Sequence, residues 1–346
     1  MLTKIVTVLL IFALFLSGCQ SPAQPIDKQP TEEELQETPA ENPGSDDTEK
    51  NTDWQAYQPN ELGEVMILMY HEIGTKEGTW SRQVDNFRAD LERLYQENYR
   101  PVNLNDYITG NINLPAGTTP FVLTFDDGSS GHLRFIEQDD GKYILDPDCA
   151  VAIILEMSKK YDDFTPAGTF FVYYPVPFRQ SKWIAEKLAF LKKWGFEIGN
   201  HAYNHENLAK LSSAEVVEAL AKNVRSTQEY LPGYQVTSLA LPYGARAKDE
   251  TALKSGEWEQ TTYQNDAILL VGANPAPSPF AQNFDPFRLP RVRADGTELP
   301  RWLNYFQNHP EKRYISDGDS DYLTIPKDLE GKINKDKING KKLRLY

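Results

Sequence analysis

The chain has 346 residues, 40% hydrophobic and 25% charged, with 36 basic against 50 acidic side chains and a formal net charge of -14. That balance disfavours nucleic acid or an anionic surface as partner and suits a neutral or cationic polymer. There are two cysteines, and if the first is spent on export no intrachain disulfide is available.

From the start, Lys4 supplies a small basic region, Ile5 to Phe15 is continuously apolar, and Leu16-Ser17-Gly18-Cys19 follows. The pattern resembles a bacterial lipoprotein signal (residues 1-19), cleaved before a Cys19 that then carries lipid; an ordinary secretory peptide or short anchor is the alternative. Either way export is expected, with the lipid holding the protein to the outer face of a bacterial membrane. No other stretch approaches the roughly 20 apolar residues of a membrane span. Residues 20-60 are rich in Pro, Glu, Asp, Gln, Thr and Asn. They bury too little apolar surface to offset ordering and are expected to form a disordered acidic tether. The remainder suits one large domain, 61-310, with a polar, Lys-rich and solvated appendix over 311-346.

Within the domain, Val65-Met66-Ile67-Leu68-Met69-Tyr70-His71 reads as a first strand closed by a histidine. A lone His there is commonly structural. Phe87, Leu91, Leu94 and Tyr95 recur at helical spacing, and Val102-Asn103-Leu104 follows as a short strand. Phe121 to Phe125 is an apolar, aromatic and β-branched run that ends in Asp126-Asp127-Gly128. Successive strand residues face opposite ways, so two adjacent acids separate unless the chain turns, which Gly128 permits. One acid is then free to hold a metal while the other faces a substrate. Taken alone, Asp-Asp-Gly also reads as a turn with two solvated carboxylates.

Residues 129-148 interrupt the pattern as an inserted loop or hairpin near the site. They contain His132, read as a solvated loop residue. A helix is expected over 150-160, starting beside a buried, unreactive Cys149, then a strand over 168-173 and a helix over 182-194. Phe196 to Asn200 leads into His201 and His205, two of only five histidines. Four positions apart, they share one face of a helical turn and reach a common cation. Two imidazoles and a carboxylate with open positions make a hydrolytic metal site, whereas a zinc protease would have Glu where this chain has Ala202.

Ser212-Ser213-Ala214-Glu215 fits a capping box opening a helix to about Tyr230. Val236 to Ala240 is a further strand, ending in Leu241-Pro242-Tyr243-Gly244, which would aim the Tyr243 amide at an oxyanion or serve as a plain loop. Ala267 to Val271 and Phe287 to Arg293 are strand candidates, the second bringing Arg288, Arg291 and Arg293 toward the same pocket. Tyr322 to Ile325 and Leu343 to Leu345 are weaker ones. Alternating strands and helices with functional groups at strand ends predict an α/β fold, a distorted or incomplete (β/α) barrel.

Read together, Thr124-Phe125-Asp126-Asp127-Gly128, His201-x3-His205 and Leu241-Pro242-Tyr243-Gly244 resemble the polysaccharide deacetylases, the carbohydrate esterase family 4 or NodB-homology domain, over roughly residues 64 to 310. The resemblance implies a distorted (β/α) barrel that removes acetyl groups from N-acetylated sugars with a divalent metal, commonly zinc, with cobalt or nickel as alternatives. It assigns Asp127, His201 and His205 as metal ligands and Asp126 as general base. Met69-Tyr70-His71-Glu72 is similar to the first strand of the branch acting on exported poly-N-acetylglucosamine, which makes His71 the general acid. Relatives often have Arg where this chain has Ala240, a part left to Arg291 or Arg288. Many have a late Leu-x-His motif, and here only His309, before Pro310, is available.

The expected function is therefore a metal-dependent hydrolase, with no nucleic acid as partner, acting as a monomer on an N-acetylglucosamine-containing polysaccharide. Alternatives are a non-catalytic carbohydrate-binding protein on this fold and a metal-independent glycoside hydrolase.

Overall fold

The computed structural model describes residues 54-346. The leader ending at Cys19 and residues 20-53 of the expected tether lie outside the described residues. Eight strands make the main sheet: β1 (Met66–Tyr70), β2 (Tyr99–Val102), β3 (Thr119–Phe125), β4 (Thr169–Val172), β5 (Glu197–Asn200), β6 (Ser238–Ala240), β7 (Ala267–Leu269) and β8 (Val292–Arg293). Their order is β7-β6-β5-β4-β3-β1-β8, with β2 beside the first half of β3, and every pairing is parallel. β1 and β3 are buried along their whole length. This explains why they read as unbroken apolar runs, since a parallel sheet is covered on both faces.

The sheet curls because one segment reaches both of its ends. Leu289 donates its N–H to Ile268 (3.0 Å) and accepts from the N–H of Leu270 (2.9 Å), and three residues later Val292 pairs with Leu68 of β1. The result is the distorted (β/α) barrel expected from the alternating pattern. Phe287 to Arg293 is not one strand. Pro286–Arg288 is a 3-10 turn, and only Val292–Arg293 joins the sheet.

Five longer helices cover the strands: α1 (Val84–Gln96), α2 (Ala150–Lys160), α3 (Ile184–Lys193), α4 (Ser213–Tyr230) and α5 (Glu298–Asn308). At the start of α4, Ser212 Oγ accepts from the Glu215 N–H while Glu215 Oε2 accepts from the Ser212 N–H, a complete capping box. The free Cys149 is buried at the start of α2. No helix among the described residues is long and apolar enough to cross a membrane.

Two expectations about the chain's ends need correction. Residues 311-346 are not a solvated appendix, because Tyr314, Leu323, Ile325 and Ile333 share one core with Val65, Ile67, Val122 and Leu269. Their strand Tyr322–Ile325 pairs with Lys342–Leu345. A handful of apolar side chains diluted among lysines carries little periodicity, although each is placed inward. Residues 54-60 likewise do not behave as tether: Trp54–Tyr57 forms a 3-10 turn, and the buried Asn60 exchanges backbone hydrogen bonds with Ile315.

Candidate active site

β3 delivers both acids. The Asp126 N–H still donates to Tyr70 on the neighbouring strand (2.9 Å), so Asp126 is held as firmly as the strand itself. Its carboxylate, 1% exposed, points into the barrel and meets Arg291, itself fully buried. Arg291 donates to both carboxylate oxygens at 2.7 Å, to Thr124 Oγ1 at 3.1 Å and, through Nε, to the Leu270 carbonyl at 2.8 Å. Burial pushes the Asp126 carboxyl up, but the guanidinium outweighs it and brings the pKa down to about 2.

The next residue leaves the strand. Asp127 has φ of +74° and Gly128 +52°, so the second acid swings away from the barrel interior. Its Oδ1 lies 3.4 Å from His201 Nε2 and 3.2 Å from His205 Nε2. Burial raises the Asp127 carboxyl, and the proximity of the two imidazoles overcomes that, leaving it well below the usual carboxylate range. His201 and His205 do not share a face of a helical turn. The segment is an irregular loop after β5, with Ala202 at φ +56° and His205 at φ +57°. Asn223 of α4 fixes that loop by donating to the carbonyls of Val172 (2.7 Å) and Ala202 (2.8 Å).

This donor set fits a divalent cation. One oxygen and two imidazole nitrogens lie within 4.8 Å of one another. Ligand atoms about 2.1 Å from a tetrahedral ion stand roughly 3.4 Å apart, matching the two contacts to Asp127. His201 Nδ1 is bonded to the Ala240 carbonyl at 2.8 Å, which places the proton on Nδ1 and leaves Nε2 with a lone pair facing Asp127.

Around these groups opens a cavity of about 780 Å³ lined by His71, Trp80, Asp126, Asp127, His205 and Tyr243 among others. His71 Nε2 is 4.0 Å from Asp126 Oδ2, and its ring lies against Trp80 (4.7 Å between centroids). Tyr243, at φ +58° in the turn after β6, sets its ring on His205 (4.5 Å). Trp80 is 47% and Tyr243 68% exposed, so both rings are partly open to a ligand. Of the insertion 129-148, only Ser129 and Ser130 line the cavity. Its hairpin, Phe135–Glu137 with Tyr143–Leu145, packs its aromatic rings against Trp183 and Phe190 instead.

A model of the polysaccharide deacetylase family matches residues 115-259. That segment belongs to the polysaccharide deacetylase family. Among solved structures, the deacetylase PplD of Streptococcus pyogenes in complex with acetate is similar with a TM-score of 0.52 and 18% identity, covering 70% of this chain and 97% of that one. IcaB from Ammonifex degensii gives 0.51 and 19%, over 71% of this chain and 97% of its own. A polysaccharide deacetylase from Bacillus cereus gives 0.50 and 18%, over 70% and 68%. At such identities the likeness establishes the fold. Among curated proteins no significant match is found.

The deacetylase segment contains Asp126, Asp127, His201, His205 and Tyr243, while His71, just after β1, and Arg291, just before β8, enter from either side of it. At position 240, where the resemblance led us to look for Arg, the alanine contributes its carbonyl to His201, and the guanidinium on Asp126 comes from Arg291. Arg288 instead pairs with Glu250 at the surface (2.5 Å), and Arg293 pairs with Asp295. His309 is exposed beside Glu311. Three residues near the site escaped the sequence reading: Trp80, a single aromatic in a polar stretch, Asn223 and His132. Asn223 shows as an Asn in an otherwise ordinary helix, a faint signal at best. His132, read as solvated, is fully buried, and an aromatic ring that packs as well as phenylalanine gives no local sign of its burial.

Proposed function

We propose that the protein is a metal-dependent N-deacetylase of an N-acetylglucosamine-containing polysaccharide outside the cell. The observation that carries the reading is the juxtaposition of an Asp127, His201 and His205 ligand set with a second carboxylate, Asp126, that Arg291 keeps charged and immobile. Zinc suits two imidazoles and a carboxylate, and cobalt or nickel accept the same donors. When bound, the metal polarises the acetamide carbonyl and acidifies the attacking water.

The chain's own residues handle the proton. Asp126, ionised from about pH 2 upward, accepts it from the attacking water. Burial lowers the pKa of His71, against the pull of Asp126 and Asp127, so its ring starts neutral at physiological pH and has a nitrogen free to take a proton. The proton moves on from Asp126 to His71 across the gap that measures 4.0 Å before substrate is bound, and His71 then gives it to the departing amine. The Tyr243 amide, set by its left-handed backbone at the cavity wall, is the candidate donor to the oxyanion.

The relatives' names support the substrate class. The Streptococcus protein is a deacetylase solved with acetate, the small product this reaction would release. We extend the reading to location and state: a lipid on Cys19 would hold a monomer to the outer face of a bacterial membrane, with no nucleic acid as partner. A glycoside hydrolase that used Asp126 or Asp127 as its acid is disfavoured, because that acid must be a carboxyl held protonated, and both are driven the other way. The test is acetate release from a chitooligosaccharide, with and without a chelator. Metal-dependent acetate release is expected; new reducing ends without acetate, or carbohydrate binding without turnover, would overturn the proposal.

A further inference from the structure

His132 is a polar ring in an apolar place. It is fully buried, with its centroid 5.2 Å from that of Phe125 and 6.0 Å from that of Phe170. For packing alone a phenylalanine would serve, and burying a polar ring costs free energy unless both nitrogens are bonded. Here both are. Nδ1 accepts from the Ser129 N–H at 3.2 Å, and Nε2 donates to the backbone carbonyl of His71. Those partners dictate a neutral ring with its proton on Nε2. Burial agrees, bringing the imidazole down to about 4.

The ring is itself anchored. The carbonyls of Gly131 and His132 accept from the first N–H groups of α2, Ala150 (2.9 Å) and Val151 (3.0 Å), which have no partner inside the helix. Gly131 approaches the segment that follows β1 so closely that a Cβ there would stand 1.7 Å from the Ile73 carbonyl oxygen. Ser129 Oγ adds a longer contact to the same His71 carbonyl at 3.4 Å. On either side of His71 the backbone is already fixed, Tyr70 O by Asp126 and the Glu72 N–H by Trp80. The bond from His132 completes the row.

We propose that His132 is a positioning residue: by holding the backbone carbonyl of His71 against α2 and the loop after Gly128, it sets the His71 ring opposite Asp126 without touching substrate, metal or reacting atoms. The inference rests on the functional reading above, because it gives His71 its part in proton transfer.

The test is a double-mutant cycle on acetate release. His132→Phe keeps a planar aromatic ring, somewhat larger than imidazole, and removes both hydrogen bonds. Misplacement of a catalytic group by about 1 Å costs up to about a hundredfold, so kcat should fall by about ten- to a hundredfold with KM and metal content unchanged. His132→Gln, which restores a donor toward the carbonyl, should recover most of the loss. In a His71→Ala background, His132→Phe should cause no further loss, since there is no ring left to position. An equal loss in both backgrounds would mean a general structural role and overturn the inference, as would a parent-like kcat for His132→Phe. If the Phe variant fails to fold, His132→Leu takes its place in the cycle. A parent with no turnover would refute the functional reading but leave the latch to be judged from crystals of His132→Phe. There, a His71 ring displaced from Asp126 supports the latch, and one left in place overturns it.

Discussion

Arg291 and Asp126 lie 165 positions apart in the chain, yet the two terminal nitrogens of the arginine each sit 2.7 Å from one oxygen of the aspartate. The pair joins β3 to the segment that closes the barrel, so one contact serves both the fold and the site. A lysine cannot reproduce a two-pronged bond. Arg291→Lys should therefore stay folded, bind metal as the parent does, and lose about a hundredfold in kcat as Asp126 drifts. Arg291→Met leaves a buried carboxylate unpaired and should cost about 3-5 kcal/mol in urea unfolding. A parent-like kcat for Arg291→Lys would show that the pair is structural only.

The two acids of the Asp126-Asp127 pair should separate cleanly by assay. Asp127→Ala and His201→Ala each remove one of three donors, and metal content by elemental analysis should fall along with turnover. Asp126→Asn keeps all three donors and should retain metal while losing at least about a hundredfold in acetate release. If Asp126→Asn deacetylates as fast as the parent, the base is elsewhere.

Much of this arrangement was legible from the sequence because buried parallel strands write themselves as continuous apolar runs. Phe121 to Phe125 and the acids that end it are one example. The capping box at Ser212 is a local signal and marked the start of α4 correctly. What escaped was set by tertiary contact. His201 and His205 keep the four-residue spacing, but two left-handed residues in a loop bring them together, and spacing does not distinguish that from a helical turn. The C-terminal strands are recruited by a core that Tyr314 and Leu323 enter from far along the chain, whatever the charge of their neighbours. Likewise nothing near Arg291 in sequence singles it out from Arg288, which faces solvent and Glu250.

Trp80 and Tyr243 are partly exposed aromatic rings lining the cavity, packed against His71 and His205 respectively. A sugar ring offers an apolar face to such platforms, and losing one aromatic contact costs about 1 kcal/mol or somewhat more. Trp80→Ala should therefore raise KM for an acetylated oligomer about five- to tenfold, with kcat and metal content nearly unchanged. A larger effect on kcat than on KM would instead assign Trp80 to holding His71 in place.

Glu61 gives the protein a pH response remote from the cavity. Its carboxylate accepts from the Thr324 N–H (2.8 Å) and the Tyr314 hydroxyl (3.3 Å), tying the start of the domain to its C-terminal strands. Burial, and then the charge of Asp317, raise its pKa to about 8 from an ordinary 4.5. Because the folded value is the higher one, the stability that Glu61 contributes is complete below about pH 4.5 and is lost as pH rises through about 8. Glutamine mimics the protonated carboxyl in shape and cannot ionise, and the Tyr314 hydroxyl is able to turn and accept from its amide. Melting temperatures measured from about pH 5 to about pH 9 should fall for the parent and fall less for Glu61→Gln, the variant becoming the more stable protein at the alkaline end. Parallel curves for the two proteins would mean that Glu61 is already ionised in the folded state.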